Sequence, residues 1–286
     1  MTQTTPVRPV LLTTIDEVRT ALAGRDGVAL VPTMGALHDG HLALVERALE
    51  VGSTVIVSIF VNPLQFGANE DLDKYPKTLD DDLDKLAALG VGFVFAPTAA
   101  EMYPDGASQT LVRAGQVGGM FEGRSRPGHF DGVLTVVSKL LNIVRPQFVT
   151  FGQKDAQQVF LVQRMVADLN FPVRVEVVET VREDSGLAMS SRNRFMDARE
   201  TRAARSLSLA LEAAASSADR GIDAVLAAAQ GTLMGESLVT LDYLKVVQLG
   251  TFLPVNDDYR GPALVLVAAR VGSTRLIDNE RIVLAG

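Results

Sequence analysis

The chain contains no cysteine, no tryptophan and only three histidines among its 286 residues. Without cysteine it has no disulfide, no thiolate nucleophile and no cysteine-ligated metal, and nothing indicates an oxidising compartment. Lys and Arg number 27 against 34 Asp and Glu, so the formal net charge is −7. Sequence-independent duplex binding requires a basic face, so we expect no nucleic-acid partner.

Targeting signals and long apolar runs are also lacking. Residues 1–22 show no basic region followed by an apolar stretch and a small-residue cleavage site. The longest uncharged stretch, residues 51–69, is interrupted by Asn62, Pro63, Gln65 and Gly67, whereas a membrane-spanning helix needs about 20 mostly apolar residues. We therefore expect a cytoplasmic protein with no membrane partner.

Short β-branched runs alternate with helical patterns over the first two-thirds of the chain. The predicted strands are residues 28–31, 55–61, 91–95, 109–112, 147–151 and 173–178. Helical periodicity occupies residues 42–49, 79–89, 133–144 and 155–169. This alternation predicts α/β architecture, with a Rossmann-like parallel sheet covered by helices on both faces, over residues 1–181.

The composition changes after Met196. Asp197 and Glu200 have the spacing of a capping box, which opens an Ala-rich helix that we expect to reach Arg220. A second helix at 223–234 and alternating segments at 241–248 and 263–271 follow. We predict a smaller α+β domain over residues 182–286.

Polar motifs follow the predicted strands, at the edge where such sheets bind ligands. His38-Asp39-Gly40-His41 comes after the first of them and opens a helix. Two histidines three residues apart lie on one face, and a helix N-terminus favours an anion such as phosphate. A surface capping pair is an alternative, and so is a metal site completed by His129 and Asp81.

Two further motifs suit phosphate groups. Ser190-Ser191-Arg192-Asn193 combines hydroxyl donors with a guanidinium, which suits a polyphosphate, although such clusters also occur in surface loops. Gly152-Gln153-Lys154-Asp155 follows the strand that ends at Phe151. Its Lys and Asp suit a phosphate and a ribose hydroxyl, and an ordinary loop with Asp155 as helix N-cap is the alternative.

Three weaker signals remain. The segment 62–67, with Gln158 later, offers uncharged amides for a small polar acid, or is simply a turn. Acidic residues at 80–82 and 84 are expected at a helix start, with Mg²⁺ binding as a secondary hypothesis. The Gly- and Arg-rich stretch 122–130 is interpreted either as a mobile lid over anions or as a long surface loop.

Residues 32–41, Pro-Thr-Met-Gly-Ala-Leu-His-Asp-Gly-His, resemble the HIGH-type signature of the nucleotidyltransferase superfamily, in the version of the pantothenate synthetase (pantoate–β-alanine ligase) family. Stretches 60–66, 126–133, 152–155 and 189–193 match motifs of that family in the same order. The resemblance runs from about residue 8 to about residue 283. One departure is Gln153, where the family commonly has Glu.

The resemblance implies ATP-dependent condensation of (R)-pantoate with β-alanine through a pantoyl adenylate, giving pantothenate, AMP and pyrophosphate. It also implies ATP as co-substrate, Mg²⁺, a homodimer, and a smaller domain that acts as a lid over ATP. The implied catalytic residues are His38, His41 (the family's presumed proton donor), Lys154, Ser190, Ser191 and Arg192. Met34, Gly35, Ala36, Leu37, Asp39, Gly40, Gly152, Gln153, Asp155, Val181 and Met189 complete the implied ATP site. Asn62, Gln65 and Gln158 are the implied pantoate site, and Asp81 the implied metal ligand.

Three other functions remain open at this point. A nucleotidylyltransferase acting on a phosphorylated acceptor would release pyrophosphate without any amine-dependent release of AMP. A nucleotide sensor would bind ATP without turnover. A zinc hydrolase built on the three histidines would contain stoichiometric zinc.

Overall fold

The computed structural model describes residues 7–67, 72, 75–106 and 108–285. The chain divides into two compact units, the first formed by Met1–Gly152 and Gln157–Val178, the second by Gln153–Ala156 and Glu179–Gly286. The predicted domain boundary after residue 181 stays a prediction. The two compact units divide the chain differently, because residues 153–156 and 179–181 belong to the second unit.

The first unit contains a six-stranded parallel sheet. Its strands are β1 (Val10–Leu12), β2 (Val28–Thr33), β3 (Thr54–Ile59), β4 (Phe93–Phe95), β5 (Phe148–Gly152) and β6 (Arg174–Val178). They lie in the order β1-β4-β3-β2-β5-β6, and every neighbouring pair is parallel. The predicted Rossmann-like α/β fold is confirmed.

Helices cover both faces of this sheet. They are α1 (Ile15–Leu22), α2 (Asp39–Val51), α3 (Leu79–Ala88), α4 (Ala99–Met102), α5 (Gly115–Gly118), α6 (Phe121–Ser125), α7 (His129–Val144) and α8 (Ala156–Asp168). Leu30 and Ile56 point to the side of α1, α7 and α8, and their neighbours Val31 and Val57 to the side of α2 and α3. Successive side chains of a strand face opposite sides of the sheet, so in a sheet with helices on both faces the side chains on each side must be apolar.

Two interpretations of the segment before α7 are wrong. Residues 109–112 form no strand, because the N–H of Val112 donates to Thr135 Oγ1 (3.0 Å) and that of Ala114 to Asp131 Oδ1 (2.8 Å). Side chains of α7 thus take the backbone donors that a strand would have paired. The stretch 122–130 is not a loop either: it holds most of α6 and the start of α7, with Glu122 and Gly123 buried.

The second unit has a three-stranded antiparallel sheet. The strands β7 (Val239–Gln248), β8 (Gly261–Val271) and β9 (Thr274–Leu284) lie in sequence order, with α9 (Ala198–Ala215) and α10 (Ile222–Met234) packed on them. The predicted capping box of Asp197 and Glu200 is present, but α9 ends at Ala215, and a short 3₁₀ turn at Ala218–Arg220 follows. The expected smaller α+β unit is confirmed.

In the described ranges, no helix is both long and apolar enough to cross a membrane.

Candidate active site

The two histidines of the first motif cap the start of α2 reciprocally. His38 is the N-cap, and its Nδ1 accepts the N–H of Gly40 at 3.2 Å. The N–H of His38 in turn donates to Nδ1 of His41 at 3.4 Å, and the two ring centroids lie 4.1 Å apart. Since both Nδ1 atoms accept, each neutral ring carries its proton on Nε2. Capping by these histidines is therefore compatible with phosphate binding, because the cap selects the tautomer that has a hydrogen-bond donor at Nε2.

A buried carboxylate, which the sequence analysis considered only as a member of the acidic run at the start of a helix, holds the loop before His38. Asp82 is 0% exposed, and its two oxygens accept the N–H groups of Ala36 (2.9 Å) and Leu37 (2.8 Å). The hydroxyl of Thr78 donates to the same carboxylate at 3.1 Å. Gly35 and Ala36 both have left-handed φ, +82° and +52°, a costly conformation for Ala36 that these bonds offset.

Asp82 carries a sequence signal that the acidic run conceals. It lies on the same face of α3 as Leu79, Leu83 and Leu86, at helical spacing, and is buried with the latter two. Asp81, the implied metal ligand, is instead exposed on the first turn of α3. No group of three or more His, Asp and Glu side chains among the described residues could hold a metal ion. The three histidines therefore form no joint metal site with Asp81.

Of the amides predicted to bind a small acid, Gln65 lies on a 3₁₀ turn, Pro63–Gln65, that follows β3, and Asn62 is the N-cap of that turn. Gln65 is half-buried, whereas Asn62 is 1% exposed. The Asn62 Nδ2 donates to Gln65 Oε1 and to the carbonyl of Gly132, each at 3.1 Å. In this structure Asn62 therefore supports Gln65 from inside the unit.

His129, the first residue of α7, supports the same turn. Its Nδ1 lies 2.9 Å from the carbonyl oxygen of Gln65, and its Nε2 lies 3.0 Å from Nη1 of Arg126. A carbonyl only accepts and a guanidinium only donates, so both contacts are satisfied by the tautomer with its proton on Nδ1. The stretch 126–133 thus serves the Gln65 turn.

Gln158 lies half-buried on α8. Its neighbour Gln157 is buried, accepts the N–H of Glu122 (3.1 Å), and donates to the carbonyls of Val117 (2.7 Å) and Met120 (2.9 Å). Of the two adjacent amides, Gln157 therefore anchors the segment 117–122, and Gln158 is the more accessible one.

In the second unit, Lys154 lies on a 3₁₀ turn, Gln153–Asp155, that Asn279 of β9 holds in place. The Asn279 Nδ2 donates to the carbonyls of Gln153 (2.9 Å) and Lys154 (3.0 Å). The Gln153 Nε2 donates to Asn279 Oδ1 at 3.0 Å, and Gln153 Oε1 accepts from Arg281 at 2.8 Å. Gln153 thus uses both ends of its amide, and a Glu there would lack the donor that Asn279 receives.

The serine–arginine motif is presented by a hairpin over residues 181–189. Arg182 and Ala188 form an antiparallel bridge, and the N–H of Met189 donates to the carbonyl of Val181 at 2.9 Å. Ser190 then caps the 3₁₀ turn Ser191–Phe195, accepting the N–H of Arg192 at 3.3 Å. The motif is therefore a defined turn rather than a free surface loop.

An ion pair ties this hairpin to β9. Arg182 donates to both oxygens of Asp278, at 2.6 and 3.2 Å, and the Asp278 side chain is 3% exposed. Burial is the largest influence on the pKa of Arg182 and lowers it, but the hydrogen bond to Asp278 and the negative charges of Asp278, Glu280 and Glu212 together outweigh burial, so the pKa is raised. Strand β9 contacts both the Lys154 turn and the Ser191–Phe195 turn, so one strand positions both predicted phosphate-binding motifs.

Neither Lys154 nor Arg192 has an ion-pair partner in the second unit as described, although carboxylates outnumber basic groups in the chain. Two cations without carboxylate partners, presented with serine hydroxyls, suit an anionic ligand. These features define the class of the chain, a Rossmann-like α/β protein with a histidine pair at a strand end and a smaller unit that carries a candidate anion-binding motif.

Comparison with known proteins identifies the family within this class. The family model described as pantoate-beta-alanine ligase matches residues 10–281. A protein of Leifsonia xyli subsp. xyli, named pantothenate synthetase, is 61% identical over 257 residues, which cover 90% of this chain and 89% of the relative.

Solved structures agree. The crystal structure of pantothenate synthetase from Thermus thermophilus superimposes with a TM-score of 0.89 at 46% identity, covering 94% of this chain and 98% of that one. Pantoate-beta-alanine ligase from Francisella tularensis, described as complexed with beta-gamma ATP and beta-alanine, gives 0.78 at 33% identity, covering 95% and 97%. The chain belongs to the pantoate–β-alanine ligase family. It is an enzyme, a ligase of pantothenate biosynthesis.

Proposed function

We propose that the chain joins (R)-pantoate to β-alanine in two steps that use ATP and pass through pantoyl adenylate. The reciprocal cap of His38 and His41 is the observation that carries this proposal, because it directs two imidazole Nε2 donors from the start of α2. The relative from Francisella tularensis, described with a bound ATP analogue and β-alanine, supports ATP as co-substrate.

The chemistry explains why such donors are needed. In the first step a carboxylate oxygen of pantoate bonds to the α-phosphorus of ATP, and the bond from that phosphorus to the bridging oxygen breaks, releasing pyrophosphate. In the second step the amine of β-alanine bonds to the acyl carbon, AMP leaves with the former carboxylate oxygen, and the nitrogen loses a proton. With no cysteine in the chain, activation by phosphate replaces a thioester route.

Charge develops on phosphate oxygens in the first step, so fixed donors contribute more than a general base. We assign that role to His38 and His41, with His41 protonating the departing phosphate group. Lys154, Arg192 and the hydroxyls of Ser190 and Ser191 stabilise the triphosphate, supported by the absence of carboxylate partners on the two cations in the described part of the second unit.

The remaining site assignments follow the family motifs. Residues 34–37 and 39–40 bring their backbone to the phosphates, and Met189 introduces the serine pair. Gly152 and Asp155 hold the ribose, Gln153 supports Lys154, and Val181 contacts adenine through its backbone. Gln65 and Gln158 bind pantoate, with Asn62 acting through Gln65.

Mg²⁺ enters this scheme with ATP. It prefers one or two carboxylates together with substrate phosphates and water, and the exposed carboxylate of Asp81 fits such a minimal contribution. Asp82 is committed to backbone donors and does not. Asp81 and the triphosphate would hold the ion jointly, and the bound ion would neutralise part of the triphosphate charge. We therefore expect Asp81→Asn to raise the Mg²⁺ concentration needed for half-maximal rate.

We also propose that residues 182–286 act as a lid, that the enzyme is a homodimer, and that it resides in the cytoplasm. A lid would keep water from the acyl adenylate. Light scattering tests the dimer, cell fractionation tests the location, and protection of the 181–195 segment from hydrogen exchange by ATP and pantoate tests the lid.

Product analysis tests the proposed activity. Wild-type protein with ATP, pantoate and β-alanine should form pantothenate, AMP and pyrophosphate in equal amounts. Omission of pantoate or of β-alanine should stop the release of AMP. Formation of ADP and phosphate would contradict an adenylate. Pyrophosphate release without amine-dependent release of AMP would instead indicate a nucleotidylyltransferase.

A further inference from the structure

We propose that Tyr103 is a positioning residue for the pantoate site, fixing the Gln65 amide through Asn62 so that its Nε2 donor faces the substrate. This inference rests on the proposed role of Gln65 in binding pantoate. Its evidence lies entirely in the first unit, in a chain of hydrogen bonds whose direction is set by backbone groups.

The orientation of the Asn62 amide is fixed by two backbone groups. The carbonyl of Gly132, which can only accept, lies 3.1 Å from one amide atom, so that atom is the nitrogen. The N–H of Leu64, which can only donate, lies 3.3 Å from the other, so that atom is the oxygen. Asn62 is 1% exposed, so it cannot exchange these partners for solvent.

The orientation of Gln65 follows from that of Asn62. Because Asn62 Nδ2 only donates, the Gln65 atom at 3.1 Å must be its oxygen, Oε1. The Gln65 Nε2 is left 3.2 Å from the thioether sulfur of Met34, in the loop that leads to His38. A thioether is a weak acceptor, so an oxygen of pantoate would be a better partner for this nitrogen.

Tyr103 completes the chain. Its hydroxyl donates to Asn62 Oδ1 at 2.8 Å, the shortest contact of that amide, and the residue is only 8% exposed. Its ring lies against Phe60, with centroids 6.2 Å apart, and Lys139 Nζ lies 5.4 Å from the ring centroid. Burial raises the pKa of the phenol to about 12, which keeps it a neutral donor at physiological pH.

The chain predicts the polarity of substrate recognition. Gln65 offers N–H groups, so its ligand must present an acceptor, as the carboxylate or a hydroxyl oxygen of pantoate does. Replacing Gln65 by Glu would offer an anionic acceptor in the same volume, and should weaken pantoate binding more than truncation to Ala does.

The test compares Tyr103→Phe with wild-type protein at varied pantoate and at varied ATP. Loss of one supporting hydrogen bond should raise the KM for pantoate about fivefold, leave the KM for ATP unchanged, and leave a folded protein. Tyr259→Phe is the matched control, because its hydroxyl also donates to one acceptor, the Pro262 carbonyl at 2.8 Å, but in the second unit. It should leave both constants unchanged.

A double-mutant cycle separates positioning from general destabilisation. Since Tyr103 acts through Gln65, adding Tyr103→Phe to Gln65→Ala should raise the pantoate KM no further. Additive effects, an unchanged pantoate KM in Tyr103→Phe, or equal effects of Gln65→Glu and Gln65→Ala would overturn the inference while the proposed function stands. A wild-type protein that forms no pantothenate would overturn both.

Discussion

The substitution Gly132→Ala adds one methyl group where α7 approaches the Gln65 turn most closely. A Cβ at this position would lie 2.3 Å from the Leu64 carbonyl oxygen, 2.5 Å from its carbon and 2.7 Å from the Gln65 nitrogen. All three are backbone atoms, which cannot rotate away as a flexible side chain would. Ordinary van der Waals contact begins at 3.4 Å, so the turn must move away from α7 by about 1 Å.

Two effects follow from that movement. Overpacking a well-packed contact costs about 1–3 kcal/mol of unfolding free energy, which lowers Tm. Displacing a substrate-positioning group by about 1 Å can cost on the order of 10²-fold in rate. The Gly132 carbonyl also holds Asn62, so the orientation of the Gln65 amide is lost together with its position. We expect kcat/KM for pantoate to fall by about 10²-fold.

The assay is pantothenate formation at varied pantoate with saturating ATP and β-alanine, alongside thermal unfolding. Gly231→Ala is the matched control: it is also a helical glycine, in α10, but a Cβ there meets no atom within 4 Å. The free energy of unfolding of Gly231→Ala should rise by about 0.5–1 kcal/mol, and its kinetics should match those of wild-type protein. Wild-type kcat/KM and Tm in Gly132→Ala would refute the close approach of α7 to the turn.

Three further predictions concern other parts of the site. His41→Ala should lower pantoate-dependent ATP–pyrophosphate exchange by about 10²–10³-fold, the usual effect of losing one transition-state donor; near-normal exchange would refute its phosphate role. Asp82→Asn places a donor opposite the N–H groups of the Ala36–Leu37 loop and should cost about 1–3 kcal/mol in thermal unfolding, whereas Asp80→Asn, at an exposed ion pair, should cost little. The phenol of Tyr103 should titrate with a pKa of about 12, seen as the tyrosinate absorbance missing from Tyr103→Phe, and a midpoint near the ordinary value of about 10 would contradict its burial.

The last of these also gives a pH dependence of stability. Because the pKa of Tyr103 is higher in the folded than in the unfolded protein, the folded state retains the proton longer. Its contribution to stability is therefore complete below about pH 10 and is lost as the pH rises through about 12. Tyr103→Phe should show a shallower alkaline decline than wild-type protein, measured by denaturant unfolding between these pH values.

Hydrophobic pattern predicted most of the sheet, because a doubly covered parallel strand must be apolar on both faces. The continuous apolar run from Val28 to Val31 identifies β2 for this reason. Strand β9 was not predicted, since Asp278, Asn279 and Glu280 interrupt the apolar pattern. In the structure, Asp278 holds the 181–189 hairpin and Asn279 holds the Lys154 turn. The polar residues that position these two motifs are therefore the same ones that interrupt the apolar pattern of the strand.

Some residues of the candidate site could likewise be predicted from the sequence and others could not. Histidines at 38 and 41 could be found because spacing at a helix start is local information. Asp82 and Tyr103 act on loops that lie 45 and 41 positions away in sequence, on Leu37 and Asn62 respectively. Such contacts depend on tertiary packing, which no local pattern encodes. The adjacent Asp81 was selected instead, because sequence shows the acidic run but not which carboxylate faces inward.

The pantoyl adenylate is the central claim, and transfer of an oxygen isotope tests it most directly. Pantoate labelled with ¹⁸O in its carboxylate should be converted, with ATP and β-alanine, to pantothenate and to AMP whose phosphate carries one labelled oxygen, detected by mass spectrometry. Bond formation between the carboxylate and the α-phosphorus requires that transfer. Unlabelled AMP, or the label in inorganic phosphate, would contradict the adenylate and the role assigned to the His38–His41 pair.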